Sequence, residues 1–184
     1  MRPPLLWGAV AACFAGSAYP LPTAPAVVSG QAALSIQGRT LTVSNSPGSI
    51  IQWGGFSIQA DELVRFLQPS AASAVLNRVV GQDPSRILGQ LQSNGRVYLL
   101  NPNGIAFGPG AQIDVAGLVA STLHLSDTDF LSGRLRFTEQ GSAGPVTHQG
   151  RITTPAGGQV FLVAPRVENS GLINTPGGDI TLAA

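Results

Sequence analysis

The sequence GRITTPAGG at residues 150–158 is followed by a related segment, GLINTPGG, at residues 171–178. Gly150 corresponds to Gly171, and the pair Gly157-Gly158 corresponds to Gly177-Gly178, so the first spacing is one position longer than the second. A period near twenty residues with turn residues at fixed offsets is typical of a parallel β-helix, because each coil buries its apolar face only by stacking on the next. The repeat therefore predicts an all-β solenoid.

Apolar residues spaced by two recur along the chain beyond Gly30, which is the period of a strand with one buried face. The pairs are Leu34/Ile36, Leu41/Val43, Phe56/Ile58, Val97/Leu99, Ile105/Phe107, Ile113/Val115, Leu135/Phe137 and Ile180/Leu182. A β-sandwich also has short strands at regular spacing and is the alternative fold, but it gives no reason for the twenty-residue repeat.

Three Pro-Gly turns separate these strands: Ser46-Pro47-Gly48, Gly108-Pro109-Gly110 and Thr175-Pro176-Gly177. Pro fixes φ at about −65° at the second position of a turn, and Gly accepts a positive φ at the third. These are the requirements of a type II turn. The sequence therefore predicts type II geometry at all three places.

The segment from Asp61 to Gln92 breaks the alternation, since its apolar residues are denser and less regular. Asp83 followed by Pro84 is a helix-start signal, because the acid can cap the amides of the first turn and Pro suits the first helical position. We predict a helix from Pro84 to about Gln92, closed by Asn94-Gly95. This insertion is expected to cap the solenoid or to project from it.

Composition limits the class of protein. Charged residues make up 10% of the chain, hydrophobic residues 43%, and the formal net charge is +1. A disordered chain would combine low hydrophobicity with high net charge, so we expect a folded chain. All ten basic residues are Arg and they form no run, so no electrostatic footprint for nucleic acid or anionic lipid is present.

The N-terminus has the features of a signal peptide. Arg2 provides a minimal positive region, residues 5–14 form an apolar stretch too short to span a bilayer, and Gly16-Ser17-Ala18 provides small residues for cleavage. We predict a signal peptide over residues 1–18 and hence a secreted or cell-surface protein exported through a periplasm.

The rest of the chain is expected to form two parts. Residues 19–30, rich in Pro, Ala and Val, are predicted to be a leader, and residues 31–184 to be the β-helical domain. The chain ends within a predicted coil, so we expect the domain to be truncated at its C-terminus. Cys13 follows Val-Ala-Ala and resembles a lipoprotein cleavage site, which leaves lipidation as the alternative fate of the N-terminus.

The acidic residues give little support for catalysis. Paired carboxylates about 5 to 10 Å apart are needed for acid–base chemistry on sugars. Asp61 and Glu62 are adjacent and point to opposite faces of an extended segment, which leaves Asp127 and Asp129 as the same-face pair. The stretch 126–129 is more simply a solvated turn. We predict no catalytic residues, although a β-helical polysaccharide lyase or hydrolase is the enzyme alternative.

The histidines and threonines are assessed in the same way. His124 and His148 have no carboxylate or cysteine at metal-ligand spacing, so we predict strand or surface histidines, with no metal site and no cofactor. A ladder of like residues along a flat face would favour direct adhesion, and Thr153-Thr154 with Thr175 are its candidates. A stand-alone adhesion module is therefore the second alternative.

The most informative segment is VYLLNPNGIAFGPGAQIDVAGLVAST at residues 97–122. Asn101-Pro102-Asn103-Gly104 is a strong turn by chemistry alone, with Asn103 able to take a positive φ at the third position. On these grounds we expect Asn103→Gly to be tolerated by the fold and Asn101→Ala to cost about 1 kcal/mol. By itself the turn predicts only a corner of a coil.

This segment does not stand alone. Together with IQWGGFSI at residues 51–58 and QPSAASAVLNRVVGQDPSRILGQLQSNGRVYLLNPNGI at residues 68–105, it resembles the N-terminal secretion domain of two-partner-secretion exoproteins. That group includes filamentous haemagglutinin, with its haemagglutination activity domain, and the haemolysin and haem-utilisation proteins. The resemblance covers most of residues 30–184.

The resemblance implies a fold, a partner and a site. The fold is a right-handed parallel β-helix with an N-terminal cap and a small extra-helical element. The partner is an outer-membrane β-barrel transporter with periplasmic POTRA domains, which recognises the unfolded chain and exports an adhesin-like protein to the surface. The family's NPNGI motif falls on Asn101, Pro102, Asn103, Gly104 and Ile105.

Two differences from the family accompany this match. An upstream NPNL motif found in part of the family has no clean counterpart, and Asn45-Ser46-Pro47-Gly48 is its nearest equivalent. Family members also continue through a long repeat region that supplies their effector activity and any contact with a host-cell or surface ligand. The resemblance thus implies that this chain is a secretion module rather than an enzyme.

Overall fold

The computed structural model of the protein describes residues 21–184, so the predicted signal peptide and residues 19 and 20 lie outside the described part. The described residues form eighteen strands and one short helix. In chain order they are β1 (Ala26–Ser29), β2 (Ala32–Gln37), β3 (Thr40–Asn45), β4 (Ser49–Trp53), β5 (Leu63–Leu67), β6 (Ala74–Val79), β7 (Ser85–Ile87), β8 (Gln90–Leu100), β9 (Ile105–Phe107), β10 (Gln112–Ser121), β11 (His124–Leu125), α1 (Asp127–Leu131), β12 (Phe137–Thr138), β13 (Val146–His148), β14 (Arg151–Thr153), β15 (Gln159–Val163), β16 (Val167–Asn169), β17 (Leu172–Asn174) and β18 (Asp179–Ala183).

The strands stack into three parallel faces wound as a solenoid of about seven turns. The first face contains β3, β5, the first half of β8, the first half of β10, β14 and β17. The second contains β4, β6, the second halves of β8 and β10, β15 and β18. The third contains β7, β9, β13 and β16. The long strands β8 and β10 therefore each serve two faces.

The register confirms the repeat that the sequence suggested. Arg151 lies beside Leu172 in the β14–β17 pair, which reproduces the longer of the two spacings. Gln159 lies beside Asp179 in the β15–β18 pair, which reproduces the shorter one. The two spacings in the sequence are thus the registers of two different faces.

The predicted turn geometry holds at two of the three Pro-Gly turns. Gly48 and Gly177 have positive φ values of 70° and 60°, as type II turns require. Gly110 does not have a positive φ, although the Ala111 N–H still donates to the Gly108 carbonyl at 3.0 Å. The turn at residues 108–111 is therefore hydrogen-bonded but not type II.

The core consists of inward-facing aliphatic rows. One row on the first face runs through Leu41, Val64, Leu91, Ile113, Ile152 and Ile173. Five of the eight predicted apolar pairs are buried. The pairs in β2 and β18 are not, because Leu34, Ile36, Ile180 and Leu182 lie at the two ends of the stack. The eighth pair, Leu135 with Phe137, lies outside the stack, and Leu135 is exposed. Burial in these rows follows from having a coil on both sides.

An N-terminal cap is present, and it is made by β1 and β2. β2 pairs antiparallel with β3, and β1 pairs antiparallel with β4, so the free edges of the first coil are covered before the parallel stack begins. The predicted leader at residues 19–30 is therefore not a separate linker in its described part, because β1 belongs to the sheet and Leu21 packs against the core.

The predicted helix from Pro84 to about Gln92 is wrong, and so is the insertion at residues 61–92. These residues form β5, β6, β7 and the start of β8, all within the stack. The Ser85 N–H donates to the Gly104 carbonyl of the next coil at 2.9 Å, and Ile87 and Leu91 are fully buried. Pairing between coils thus overrides the local helix-start signal of Asp83-Pro84.

The extra-helical element lies elsewhere, between β10 and β13. It contains α1 and the antiparallel pair β11–β12, and it covers an apolar patch on the outer side of the second face. We call this segment, residues 122–145, the excursion. The buried side chains of this contact are Ile50, Leu76, Tyr98, Leu100 and Val119 in the stack and Leu125 and Phe130 in the excursion. The outward row Ile50, Leu76, Tyr98 and Val119 is apolar because the excursion shields it from water.

The predicted fold class is confirmed: the chain is a parallel β-helix with an N-terminal cap and a small extra-helical element. Over residues 21–184 no helix has the length and hydropathy needed to cross a bilayer.

Candidate functional site

The segment Asn101–Ile105 forms the corner where the chain turns from β8 into β9; we call it the NPNGI corner. The Gly104 N–H donates to the Asn101 carbonyl at 3.1 Å, which closes the four-residue turn that the sequence predicted. Asn101, Gly104 and Ile105 are buried, whereas Pro102 and Asn103 are exposed. The corner therefore shows the solvent only two of its five residues.

Asn101 ties the corner to the preceding coil. Its Nδ2 donates to the Asp83 carbonyl at 3.0 Å and to the Ser85 Oγ at 3.0 Å. Its Oδ1 accepts the Asn103 N–H at 3.0 Å, the arrangement of an Asx turn. Because the side chain is fully buried, each of these groups would lack a partner if the amide were removed.

Asn103, which is exposed, also ties the corner to the preceding coil. Its Nδ2 donates to the Gly81 carbonyl at 2.9 Å and to the Asn101 Oδ1 at 3.0 Å. The expected positive φ at Asn103 is wrong, because the positive φ in this corner, 122°, belongs to Gly104. Asn103 is therefore present for its amide and not for its backbone conformation, which removes the reason to expect that Asn103→Gly is harmless.

The corner also holds the next coil. The Asn101 N–H donates to the Ser121 carbonyl at 3.0 Å, where the excursion begins. The Ile105 N–H donates to the Pro145 carbonyl at 3.1 Å, and the Pro102 carbonyl accepts the Gly144 N–H at 2.8 Å, where the excursion ends. The NPNGI corner thus fixes both ends of the excursion and joins three coils.

The turn nearest to an NPNL motif occupies a different place. Asn45 precedes the turn between β3 and β4, at the junction of the first and second faces, whereas the NPNGI corner joins the second face to the third. The Asn45 Nδ2 donates to the Ser46 carbonyl at 2.9 Å and to the Gln68 Oε1 at 3.4 Å. The two asparagine turns are therefore not equivalent positions of the repeat.

The acid pair Asp127 and Asp129 lies in α1, and not in the solvated turn that the sequence suggested. Ser126 caps this helix by accepting the Asp129 N–H at 3.1 Å, while Asp127 pairs with Arg78 at 2.7 Å. Hydrogen bonds from Ser126, and then from Arg134, hold the pKa of Asp129 below its ordinary value. A general acid needs a raised pKa, so Asp129 has the electrostatics of a helix-capping carboxylate rather than of a catalytic acid. Asp61 lies in the turn before β5 and is exposed, while its neighbour Glu62 is buried.

Both histidines lie in strands, His124 in β11 and His148 in β13. His148 is fully buried against Phe107, and its Nδ1 lies 2.8 Å from the Asn169 Oδ1. Burial lowers the pKa of His148 below its ordinary 6.5, although the hydrogen bond to Asn169 acts in the opposite direction. Among residues 21–184, no three His, Cys, Asp or Glu side chains come close enough to hold a metal ion.

The threonine ladder does not form a binding surface. Thr154 occupies the position of Thr175 in the preceding coil, but it is 3% exposed, and its Oγ1 donates to the Pro155 carbonyl at 3.1 Å. Thr153 lies beside Asn174 in the next strand rather than beside another threonine. These threonines therefore form no regular ladder that would support the adhesion alternative.

Comparisons with known proteins agree with this architecture. A heme/hemopexin-binding protein of Haemophilus influenzae (strain ATCC 51907 / DSM 11121 / KW20 / Rd) is 37% identical over 177 residues, covering 91% of this chain and 19% of that protein. A second Haemophilus influenzae heme/hemopexin-binding protein is 40% identical over 100 residues, covering 54% of this chain and 11% of that protein. The chain thus spans about a fifth of the length of the first relative.

A solved structure and a protein family match as well. The crystal structure of the HMW1 secretion domain from Haemophilus influenzae superposes with a TM-score of 0.86 at 37% identity, covering 89% of this chain and 44% of that one. The family described as the TPS secretion domain matches residues 18–184. This chain therefore belongs to the TPS secretion domain family.

Proposed function

We propose that the chain is the secretion-targeting domain of an adhesin-like surface or secreted exoprotein, and that an outer-membrane transporter with POTRA domains recognises its unfolded form. TPS secretion domains work with a dedicated outer-membrane transporter, and their exoproteins are exported across the outer membrane. This family is a secretion domain and not an enzyme family.

The burial of Asn101 is the observation that supports recognition of the unfolded chain. Three of the five residues of the NPNGI corner are inaccessible after folding, and the Asn101 side chain is fully enclosed. A transporter that read this motif on the folded domain would contact only Pro102 and Asn103. In the unfolded chain, all five residues and their backbone groups are free to bind.

The experiment must separate recognition from folding, and two matched prolines allow this. Pro102 and Pro176 are both exposed residues of turns, and each carbonyl accepts one N–H from a neighbouring coil, from Gly144 at 2.8 Å and from Gly157 at 2.9 Å. Replacing either by Ala keeps the carbonyl and costs at most about 1 kcal/mol through the unfolded chain.

We expect Pro102→Ala to lower the amount of protein reaching the medium in cells that carry the cognate transporter, with intact or degraded chain left in the periplasm. Pro176→Ala should be secreted normally. Urea unfolding of both purified variants checks that their stabilities match. Equal secretion of the two variants would reduce the motif to a corner of a coil.

The N-terminal processing is part of the same proposal. Removal of residues 1–18 would start the mature chain at Tyr19. Mass spectrometry of the secreted form is expected to give this N-terminus. A chain that begins at a lipidated Cys13, or that keeps Met1, would contradict signal-peptide cleavage at Ala18.

A further inference from the structure

The chain contains two Asn-Gly pairs, Asn94-Gly95 and Asn103-Gly104. In an unfolded chain, the backbone nitrogen after an asparagine can attack the side-chain amide carbon, and glycine offers the least steric resistance because it has no Cβ. The other five asparagines are Asn45, Asn77, Asn101, Asn169 and Asn174, and they precede Ser, Arg, Pro, Ser and Thr. Asn101 cannot react in this way, because Pro102 has no N–H.

Folding restrains every group that the reaction needs at Asn103. The side-chain nitrogen is held by the Gly81 carbonyl at 2.9 Å and by the Asn101 Oδ1 at 3.0 Å. The attacking atom is the Gly104 nitrogen, and its N–H donates to the Asn101 carbonyl at 3.1 Å. The amide cannot rotate towards Gly104, and the Gly104 nitrogen cannot lose its proton readily, until the corner opens.

The second pair is restrained in the same way, although it lies inside β8. The Asn94 Nδ2 donates to the Gln68 carbonyl at 2.6 Å, and the Asn94 Oδ1 accepts the Gln68 N–H at 2.8 Å. The Gly95 N–H is donated to the Ser93 Oγ at 3.0 Å. In both pairs the asparagine amide is bound to backbone of an earlier coil, so neither restraint exists before the coils stack.

We infer that Asn94 and Asn103 are deamidation sites of the unfolded chain, and that folding closes both. The Gly nitrogen loses its proton to hydroxide and forms a bond to the Asn Cγ, and the side-chain nitrogen leaves as ammonia, which gives a cyclic imide. Water then opens either C–N bond of the ring and leaves aspartate or isoaspartate. No oxidant or reductant is involved, and the net change is a gain of about one mass unit.

The product cannot rebuild the contacts that it lost. A carboxylate has no hydrogen to donate to the Gly81 carbonyl or to the Asn101 Oδ1, and at residue 94 none to donate to Gln68. Isoaspartate also lengthens the backbone by one carbon, which shifts the register of β8 or opens the turn. A chain held unfolded before export therefore has a limited chemical lifetime; this link to export rests on the proposed function, whereas the chemistry does not.

The test compares the full purified chain in buffer and in urea at the same pH and temperature. The chain contains no lysine, so trypsin cuts only at arginines and places Asn94 in the peptide 87–96 and Asn103 in the peptide 97–134. Peptide 167–184 carries Asn169 and Asn174 and is the internal control. We expect Asn94 and Asn103 to convert at least about tenfold faster in urea than in the folded chain, since reaction requires local opening.

Refolding supplies the second measurement. Chain aged in urea should refold in lower yield than fresh chain, in proportion to its deamidated fraction, and Asn103→Asp should reproduce part of that loss. Equal conversion in buffer and urea, or conversion in urea no faster than at Asn174, would overturn the inference. Complete refolding of the deamidated fraction would contradict the loss of the contacts with Gly81 and Gln68 in the product. These outcomes are measured without the transporter, so they are independent of the secretion experiment.

Discussion

Asn101 and Ser85 belong to neighbouring coils and are joined side chain to side chain, with the Asn101 Nδ2 donating to the Ser85 Oγ at 3.0 Å. Both side chains are fully buried. The backbone of Ser85 also contacts the turn, because its N–H donates to the Gly104 carbonyl at 2.9 Å. The first residue of β7 and the turn after β8 therefore position each other.

This relationship predicts a larger cost for Asn101→Ala than turn chemistry alone suggests. The substitution leaves the buried Ser85 hydroxyl without its partner, and also the Asp83 carbonyl and the Asn103 N–H, whose contacts are part-buried. We expect the free energy of unfolding to fall by about 2–4 kcal/mol. Urea unfolding followed by Trp53 fluorescence measures it, because Trp53 is fully buried.

A double-mutant cycle with Ser85→Ala isolates the pair. The direct hydrogen bond should appear as a coupling energy of about 1 kcal/mol between the two substitutions. Strictly additive effects would show that the Asp83 and Asn103 contacts carry the cost and that Ser85 contributes through its backbone alone.

The sequence was sufficient for the coil architecture and for the location of the corner, because both rest on local signals. The repeat at residues 150–178 contains the registers of two faces, and Asn101-Pro102 is a turn in any context. The partners of the corner were not predictable. Gly81 and Ser85 reach it only through stacking, and no residue pattern near them indicates that contact.

The wrong prediction of an insertion at residues 61–92 has the same cause, because contacts between coils cannot be seen in a local pattern. The helix signal at Asp83-Pro84 is local, whereas the pairing of β7 with β9 is not, and the pairing prevails because it satisfies buried backbone groups. The true excursion did leave a trace. Successive coils on the first face place Gln112 beside Arg151 and Arg151 beside Leu172, and the first of these two intervals is much the longer. Ser126 and Asp129 lie inside the longer interval and form a helix cap there.

The close approach of Gly89 to the backbone of the preceding coil gives a second prediction. A Cβ on Gly89 would lie 2.0 Å from the Gln59 carbonyl and 2.5 Å from the Glu62 carbonyl, both of which are backbone. Gly89→Ala should therefore destabilise the protein by at least about 2 kcal/mol. Gly110→Ala is the control, since its Cβ would meet nothing closer than the Leu88 carbonyl at 3.4 Å. Equal melting temperatures for the two variants would contradict the close approach of these coils.

The excursion supplies a matched pair of neighbouring residues. Phe130 is 6% exposed and packs edge-on against Tyr98 with ring centroids 5.0 Å apart, whereas Leu131 is 57% exposed. Phe130→Ala should lower the free energy of unfolding by about 2–4 kcal/mol, and Leu131→Ala by less than about 0.5 kcal/mol. Hydrogen exchange at residues 127–131 should rise in the first variant alone. Unchanged exchange there would mean that contacts other than Phe130 hold the excursion in place.

The buried His148 predicts that stability depends on pH in a defined direction. The imidazole lies between Phe107 and Asn169 in adjacent coils. Strand β13 pairs with β9, which has no charged residue, and with β16, whose charged side chain, Glu168, is exposed. Burial holds the pKa of His148 below 6.5, the value expected in the unfolded chain. Above that pH both states are neutral, and the full stability is present.

As the pH falls below 6.5, the unfolded chain binds a proton that the folded chain excludes, so the free energy of unfolding decreases until the pH reaches the lower pKa of the folded state. For one group the slope is at most about 1.4 kcal/mol per pH unit. His148→Gln keeps a hydrogen-bond donor for Asn169 and removes the titration, so its stability should change less between pH 6.5 and 5. His124→Gln is the control and should keep the slope of the parent chain. A parent chain as stable at pH 5 as at pH 7, or a slope that survives in His148→Gln, would show that His148 is not the group that titrates.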